Sequence, residues 1–126
     1  MDDNARRALR HGHTIDITTT GRRSGRPRRI EIVFHVIDGR IYVSGSPRRD
    51  RKRAWLLNLE TDPHLTFHLK RPVVADMPAT ARVITDETER RRIAAWISEH
   101  AWRGSDVELM TAYAPMIEVT IEDEAA

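Results

Sequence analysis

Cysteine is absent from this 126-residue chain, lysine occurs only at positions 52 and 70, and aromatic residues make up 6%. Without cysteine the chain has no disulfide bond, no catalytic thiolate and no cysteine-bound zinc or iron–sulfur cluster. The sequence has no long uncharged run, which excludes a membrane-spanning helix, and its N-terminus lacks the apolar stretch of a secretory signal. We therefore expect a cytoplasmic protein with no transmembrane segment.

The residues that are present suit a single folded domain over positions 1–126. Hydrophobic residues make up 40% of the chain and charged residues 32%, a composition too apolar for a disordered segment. A chain of this length buries a core without disulfides or a structural metal.

Charge is distributed unevenly, although the formal net charge is only +2. Positions 1–21 carry 3 basic and 3 acidic residues, positions 22–53 carry 11 and 3, and positions 54–126 carry 7 and 13. The middle segment therefore has a net charge of +8 and the last segment one of −6. A positive cluster within a nearly neutral protein predicts a localised anionic ligand.

The most basic stretch is TTTGRRSGRPRR, which begins at Thr18. Its glycines permit positive φ and a close approach of the backbone to a ligand, and its arginines provide forks that bind anions. It lacks the lysine–serine ending of a P-loop, and a strand follows it where a dinucleotide-binding fold needs a helix. The pattern favours an anion-binding turn between two strands, with an ordinary solvated turn as the alternative.

Alternation and helical spacing predict six strands and four helices. The predicted strands are TIDITTT, RRIEIVFHVI, RIYVSG, HLTFHLK, PVVADMPATARVI and MIEVTIE. Asp38-Gly39 lies between the second and third strands and is typical of a two-residue hairpin. Because closure removes exposed edges, an antiparallel sheet of about six strands with helices to one side curls into a barrel. We expect an α+β fold, mainly β, with flanking helices.

Four residues give specific expectations about where elements begin, end or bend. Gly12 is predicted to stop the first helix, and Asp50 to cap the helix after the third strand. Ser105 begins a capping-box pattern that predicts the start of the last helix. Pro78 predicts that the fifth strand lies at an edge or contains a bulge.

The sequence contains no recognisable arrangement of side chains for catalysing hydrolysis. No serine lies in a nucleophile-elbow pattern, and no paired carboxylates mark the strands. The histidines supply no third ligand for a metal, and His35, His64 and His68 are each better explained as structural or solvated. Chemistry supplied by a bound cofactor is therefore the better hypothesis, with no metal.

A second basic run, Arg48 to Arg53, precedes the predicted second helix. A phosphate near this helix N-terminus gains from the free amides and the helix dipole. If the fold brings Arg48 and Arg49 beside the first basic turn, the two runs enclose one anion site. The alternative is two unrelated exposed loops.

Together these motifs resemble the deazaflavin-dependent nitroreductase family. The resemblance rests on TTTGRRSGRPR, on a strand ending Val43-Ser44-Gly45-Ser46, on the basic loop and on AWLLNLETDPHLTF, and it covers about Thr18 to Ile97 plus the final strand. It implies a split β-barrel related to the pyridoxamine phosphate oxidases. It also implies binding of coenzyme F-420, whose phosphate and oligoglutamate tail are strongly anionic. A homodimer is a further expectation.

The resemblance implies roles for individual residues. The coenzyme-binding residues would be Arg22, Arg23, Ser24 and Arg28 at the phosphate and tail, Gly45 and Ser46 at the ring, and Trp55 and Asn58 after the basic loop. We expect Arg48 and Arg49 to join them. Ser46 and Tyr113 are the candidate catalytic proton donors.

The expected function is hydride transfer from reduced coenzyme F-420 to a small electron-poor acceptor such as a quinone, a nitroaromatic or an enone. One alternative is an FMN-dependent reductase, and another is a non-catalytic module of the same fold that carries a flavin, haem or lipid. Binding of nucleic acid through the basic segment is not expected, because few aromatic residues interleave the arginines for base stacking.

Overall fold

The computed structural model describes residues 1–50 and 52–122, which form four helices and six strands. The helices are α1 (Asp3–Ala8), α2 (Ala54–Thr61), α3 (Glu87–His100) and α4 (Val107–Tyr113). The strands are β1 (Thr14–Thr20), β2 (Pro27–Ile37), β3 (Arg40–Ser44), β4 (His64–Leu69), β5 (Ala75–Val83) and β6 (Met116–Ile121). Within the described residues, no helix is long and apolar enough to span a membrane.

The strands form a closed antiparallel barrel in the order β1-β2-β3-β6-β5-β4. The sheet closes because β1 pairs with β4 as well as with β2. The last strand, β6, returns after α3 and α4 and inserts between β3 and β5. The barrel predicted from the sequence is confirmed.

The β2–β3 hairpin has the predicted turn. Asp38 and Gly39 both have positive φ, at 51° and 76°. Two consecutive left-handed residues make the turn whose twist matches that of the flanking strands.

The barrel interior is filled by alternate residues of the strands. Ile15, Ile17, Phe34 and Phe67 are 0% exposed there, and the two phenylalanine rings meet edge to face with centroids 5.3 Å apart. Residues of α1 and α2, including the buried Trp55, pack against the same core. Helix α2 is therefore held against the barrel beside the turn that joins β1 to β2.

A second apolar core lies outside the barrel. Ile93 and Ile97 of α3 and Met110 of α4 pack with Ile37 and Tyr42 from the neighbouring hairpin. This packing leaves α3 and α4 on one side of the barrel, as the sequence predicted.

Arg90 connects α3 and α4 to the barrel. Its guanidinium donates hydrogen bonds to the carbonyl oxygens of Thr111 at 2.8 Å, Ile84 at 2.9 Å and Ala114 at 2.6 Å. Burial lowers the pKa of Arg90 from its ordinary value. The three carbonyls belong to the end of β5 and to the end of α4, so one side chain fixes how these segments meet.

The expectation that Gly12 stops the first helix is wrong. Helix α1 ends earlier, at Ala8, with Leu9 at its C-cap. Gly12 is required for a different reason, since a Cβ built on it would lie 2.1 Å from the carbonyl oxygen of Phe34. The chain thus passes directly over the β2 backbone at this glycine.

The expected cap at Asp50 is also wrong. Arg53 occupies the N-cap position of α2, and its side chain makes no capping hydrogen bond. Asp50 instead forms an ion pair with Arg48, with 3.0 Å between nitrogen and oxygen. The first turn of α2 therefore keeps amide groups that a ligand can use.

The start of α4 is shifted by one residue from the predicted capping box. Asp106, not Ser105, is the N-cap, and its carboxylate accepts a hydrogen bond from the Leu109 amide at 3.0 Å. The Ser105 hydroxyl donates to the carbonyl oxygen of Trp102. Both residues are good N-caps, and the aspartate occupies the N-cap position in the structure.

Pro78 lies at neither an edge nor a bulge. It pairs with Thr66 of β4 in an unbroken register. On its other side, its carbonyl oxygen accepts a hydrogen bond from the Glu122 amide at 2.9 Å, one residue beyond the end of β6. Proline is tolerated because its missing amide falls at the end of the β5–β6 ladder.

Candidate active site

The turn between β1 and β2 is folded tightly by its own backbone. The amide of Gly21 donates to the carbonyl oxygen of Arg26, and the amide of Gly25 donates to that of Gly21, both at 2.8 Å. Gly25 has φ +69°, which favours glycine at this position. The arginine side chains of the turn are exposed as a result.

Asn58 of α2 anchors the beginning of this turn. It is only 4% exposed, and its side-chain oxygen accepts a hydrogen bond from the Arg22 amide at 3.0 Å. Its side-chain nitrogen donates to the hydroxyl of the buried Thr19 at 3.1 Å. Asn58 therefore fixes where the arginines begin relative to α2.

A groove of about 570 Å³, named here the turn groove, lies between the turn and α2. Its lining consists of Gly21, Arg22, Arg23, Ser24, Pro27, Arg28, Arg29, Ile30, Ala54, Trp55 and Asn58. The groove receives both the arginines and the uncapped first turn of α2. These two features attract the same kind of ligand, an anion.

Three of the groove's arginines have no acidic partner. Among residues 1–50 and 52–122, the side chains of Arg22, Arg23 and Arg28 form no ion pair. Arg29, by contrast, is paired with Asp16 at 2.9 Å. Lys70 and Arg29 lower the pKa of Asp16 below its ordinary value. Arg29 is thus committed to the sheet, whereas its three neighbours are available to a ligand.

A second cavity, of about 430 Å³ and named here the Tyr113 cavity, lies against the opposite flank of α2. It is lined by Arg48, Arg49, Lys52, Arg53, Leu56, Glu60, Val83, Ile84, Thr85, Arg90, Ala112, Tyr113, Ala114 and Pro115. The guanidinium of Arg49 lies over the Tyr113 ring, 5.4 Å from its centroid. Tyr113 is 45% exposed, which is unusual for a large aromatic side chain in this protein.

The end of β3 adjoins the Tyr113 cavity. A Cβ on Gly45 would lie 3.2 Å from Cγ of Pro115, and the Gly45 amide donates to the Pro115 carbonyl oxygen at 3.3 Å. Arg53 donates to the carbonyl oxygen of Ser46 at 2.8 Å. Because Pro115 and Arg53 both line the cavity, the strand end forms part of its surroundings.

The structure brings some of the predicted site residues together and separates others. Arg22, Arg23, Ser24, Arg28, Trp55 and Asn58 all line the turn groove. Arg48, Arg49 and Tyr113 line the Tyr113 cavity, so the two basic runs line different cavities. Ser46 lines a third cavity with Trp102 and Leu109, and therefore does not share one with Tyr113.

Two buried histidines have structural surroundings. His35 is 2% exposed, lies edge-on against Trp96 and Trp102, and leaves its Nε2 without a partner in the described part of the chain. Burial lowers its pKa to about 4. His68 contacts the Thr18 hydroxyl at 2.6 Å and Asp76 at 2.7 Å. Its hydrogen bond lowers the pKa of Asp76.

Sequence reasoning missed several residues of the Tyr113 cavity. Lys52 and Arg53 belong to the basic run that the sequence singled out, so the run itself was the available signal. Arg90 and Pro115 lie far from that run in the sequence, and only the packing of α3 and β6 against the barrel brings them to the cavity.

The barrel, its strand order and the basic groove beside α2 define a split β-barrel of the type found in the pyridoxamine phosphate oxidases. Residues 4–114 match the family described as F420H(2)-dependent quinone reductase. The chain belongs to this family. The deazaflavin-dependent family predicted from the sequence motifs is confirmed, and nothing in the comparisons supports the FMN alternative.

Solved structures share the fold at low sequence identity. An F420-H2 dependent reductase, FDR-A, is 22% identical with a TM-score of 0.62, and the match covers 85% of this chain and 93% of that one. A conserved hypothetical protein from Mycobacterium tuberculosis is 18% identical with a TM-score of 0.71, covering 98% and 82%. A candidate pyridoxamine 5'-phosphate oxidase from Listeria innocua is 16% identical with a TM-score of 0.62, covering 88% and 86%.

Proposed function

We propose that this protein is an oxidoreductase that transfers hydride from reduced coenzyme F-420 to a small electron-poor acceptor such as a quinone, a nitroaromatic or an enone. The observation that carries the proposal is the turn groove. Three arginines without acidic partners in the described chain and an uncapped helix start face one space there. The coenzyme's phosphate and carboxylate tail are a ligand that needs several such groups.

The residues of the groove fit the anionic part of the coenzyme. Arg22, Arg23 and Arg28 would hold the phosphate and tail by charge-assisted hydrogen bonds. The first-turn amides of α2, beside Ala54 and Trp55, would add the favourable end of the helix dipole. Asn58 does not need to touch the coenzyme, since its amide already positions Arg22 and Thr19.

The reacting end of the coenzyme would lie at the end of β3. Gly45 lies there, and its lack of a side chain lets the strand end pack closely against Pro115, which lines the Tyr113 cavity. When bound, the reduced coenzyme supplies the hydride, and the protein's task is to orient it and the acceptor and to exclude water. We assign the Tyr113 hydroxyl as the proton donor, since it lines the cavity that adjoins Gly45, whereas Ser46 faces a different cavity.

Titration by fluorescence quenching tests the cofactor assignment. The protein should bind coenzyme F-420 more tightly than FMN, because the groove holds more cations than one phosphate requires.

Replacing Arg28 with alanine should weaken coenzyme binding by roughly 1 to 3 kcal/mol, the range for a charge-assisted contact. Arg7→Ala on α1 serves as the matched control, since Arg7 is exposed and lines neither cavity. Equal or tighter binding of FMN would contradict the assignment.

A turnover measurement separates an enzyme from a carrier. The absorbance of the reduced coenzyme should disappear faster with protein present, and the rate should saturate with added quinone, nitroaromatic or enone. Tyr113→Phe should lower this rate if the hydroxyl donates the proton. Intact coenzyme binding with no acceleration across the acceptor panel would identify a carrier instead.

A homodimer and a cytoplasmic location, both expected from the sequence, stay predictions. The molar mass in solution, measured by light scattering on the eluting protein, decides the first.

A further inference from the structure

The Tyr113 cavity has a chemistry that a neutral acceptor does not need. Four cationic side chains from one loop line it, namely Arg48, Arg49, Lys52 and Arg53. Glu60 is the one carboxylate in its described lining, and it is already paired with Lys52 at 3.2 Å. Arg48 is likewise paired, with Asp50 at 3.0 Å, so the cations of this loop are neutralised only in part.

The remaining lining is apolar and includes an aromatic face. Leu56, Val83, Ile84 and Pro115 provide the apolar surface. Arg49 lies over the Tyr113 ring and forms no ion pair within residues 1–50 and 52–122. A guanidinium and an aromatic ring side by side suit a flat conjugated molecule that carries a negative group at its edge.

The cavity lies beside the strand end where the proposed function puts the reacting end of the coenzyme. It adjoins the end of β3 through Pro115 and Arg53. The turn groove, which has its own unpaired arginines, lies on the other flank of α2. The two sets of cations therefore face two different spaces, and one anionic tail does not require both.

We propose that the acceptor of this enzyme carries an acidic group, a carboxylate or a sulfonate-like anion, on a flat conjugated body, and that Arg49 binds this group in the Tyr113 cavity. The proposal rests on the proposed function, because it names the substrate class for the same reaction. It makes Arg49 a specificity residue: loss of its charge lowers the turnover of anionic acceptors more than that of neutral ones.

Paired acceptors test the proposal. The kcat/KM of the wild type and of Arg49→Gln is measured with 1,4-naphthoquinone and with its 2-sulfonate, so that the intrinsic reactivity of each quinone cancels in the ratio of variant to wild type. Arg49→Gln should lower kcat/KM for the sulfonate about tenfold or more, as for the loss of a charge-assisted contact. The loss for the neutral quinone should be smaller by about tenfold, because any effect of losing the contact with the Tyr113 ring is common to both acceptors. Arg7→Gln should change neither.

Two further measurements distinguish the ways in which the proposal can fail. Loss of coenzyme F-420 affinity in Arg49→Gln would assign the cavity to the coenzyme and overturn the proposal, as would equal losses with both quinones. If no quinone, nitroaromatic or enone is reduced by the wild type, the proposed function fails by itself. Binding of anthraquinone-2-sulfonate, followed by tryptophan fluorescence in wild type and Arg49→Gln, still tests the anion site. Equal binding by the two proteins overturns it.

Discussion

At the scale of single residues, the fold uses polar side chains mainly to position backbone. Asn58 orients the basic turn by accepting a hydrogen bond from the Arg22 amide. Arg90 donates hydrogen bonds to three carbonyl oxygens and forms no ion pair in the described structure. Both are surrounded by backbone groups that need a hydrogen-bonding partner when they are buried. The exposed arginines of the turn differ in that the backbone holds them in place and leaves their side chains to a ligand.

His35 predicts a specific dependence of stability on pH. Its pKa is lowered to about 4 in the folded protein by burial, whereas in the unfolded chain it is near the ordinary value of about 6.5. As pH falls below 6.5 the unfolded chain takes up a proton that the folded protein does not, so the free energy of unfolding falls. His35 should contribute a loss of about 2 kcal/mol between pH 6.5 and pH 5.

Urea unfolding of wild type and His35→Phe at several pH values checks this prediction. The phenylalanine variant keeps an aromatic ring beside Trp96 and Trp102. Its free energy of unfolding should change less with pH over that range than that of the wild type. Taking the difference between the two proteins removes the contributions that both share from their other titratable groups. Identical slopes would mean that His35 does not carry the pH dependence.

At the scale of elements, α2 determines how the site is divided. One flank of this helix borders the turn groove through Ala54, Trp55 and Asn58. The other borders the Tyr113 cavity through Leu56 and Glu60. The helix packs into the barrel core through Trp55 and Leu59, so its orientation is fixed by burial and both cavities depend on the same packing.

The link between α2 and the basic turn gives a prediction with a matched control. Asn58→Ala removes the bond to the Arg22 amide and the bond to Thr19, whereas Thr19→Val removes only the second. Each variant should unfold at lower urea concentration, with a loss of about 1 to 3 kcal/mol per buried group left unpaired. Only Asn58→Ala should also weaken coenzyme binding, because it alone releases the turn. Equal coenzyme affinities in the two variants would show that the turn is held by other contacts.

At the scale of the whole molecule, the charges are segregated despite a formal net charge of +2. The barrel and α2 place eight basic residues of positions 22–53 around the turn groove and the Tyr113 cavity. Two acidic residues of the last segment, Glu89 and Glu118, pair with Arg82, which lines neither cavity. The protein therefore presents a local positive field without being basic overall.

This field predicts how ligand binding responds to salt. Affinity for coenzyme F-420 should fall by about an order of magnitude between 50 and 500 mM salt, since the groove arginines are exposed and are screened over a few ångströms. FMN, with fewer negative charges, should lose less. Isothermal titration across that range gives, for each ligand, the change in log affinity with log salt concentration. A steeper change for FMN would argue against a multiply charged tail in the groove.

The sequence by itself determined the barrel and the composition of its basic turn. Alternating residues such as Ile15 and Ile17 specify strands because a side-chain period of two matches one buried face. Asp38-Gly39 specifies its turn because both positions need positive φ. The basic turn was readable for a similar reason, since its glycines and arginines lie together in the chain.

Only the tertiary structure decided how the basic residues are shared between sites. The two basic runs looked like parts of one anion site, but α2 lies between them because its own apolar face must be buried in the barrel. The packing of α3, α4 and β6 against the barrel brought Arg90, Tyr113 and Pro115 to the Tyr113 cavity from distant parts of the chain. Contacts of this kind depend on how elements pack against one another, and no local pattern in the sequence encodes them.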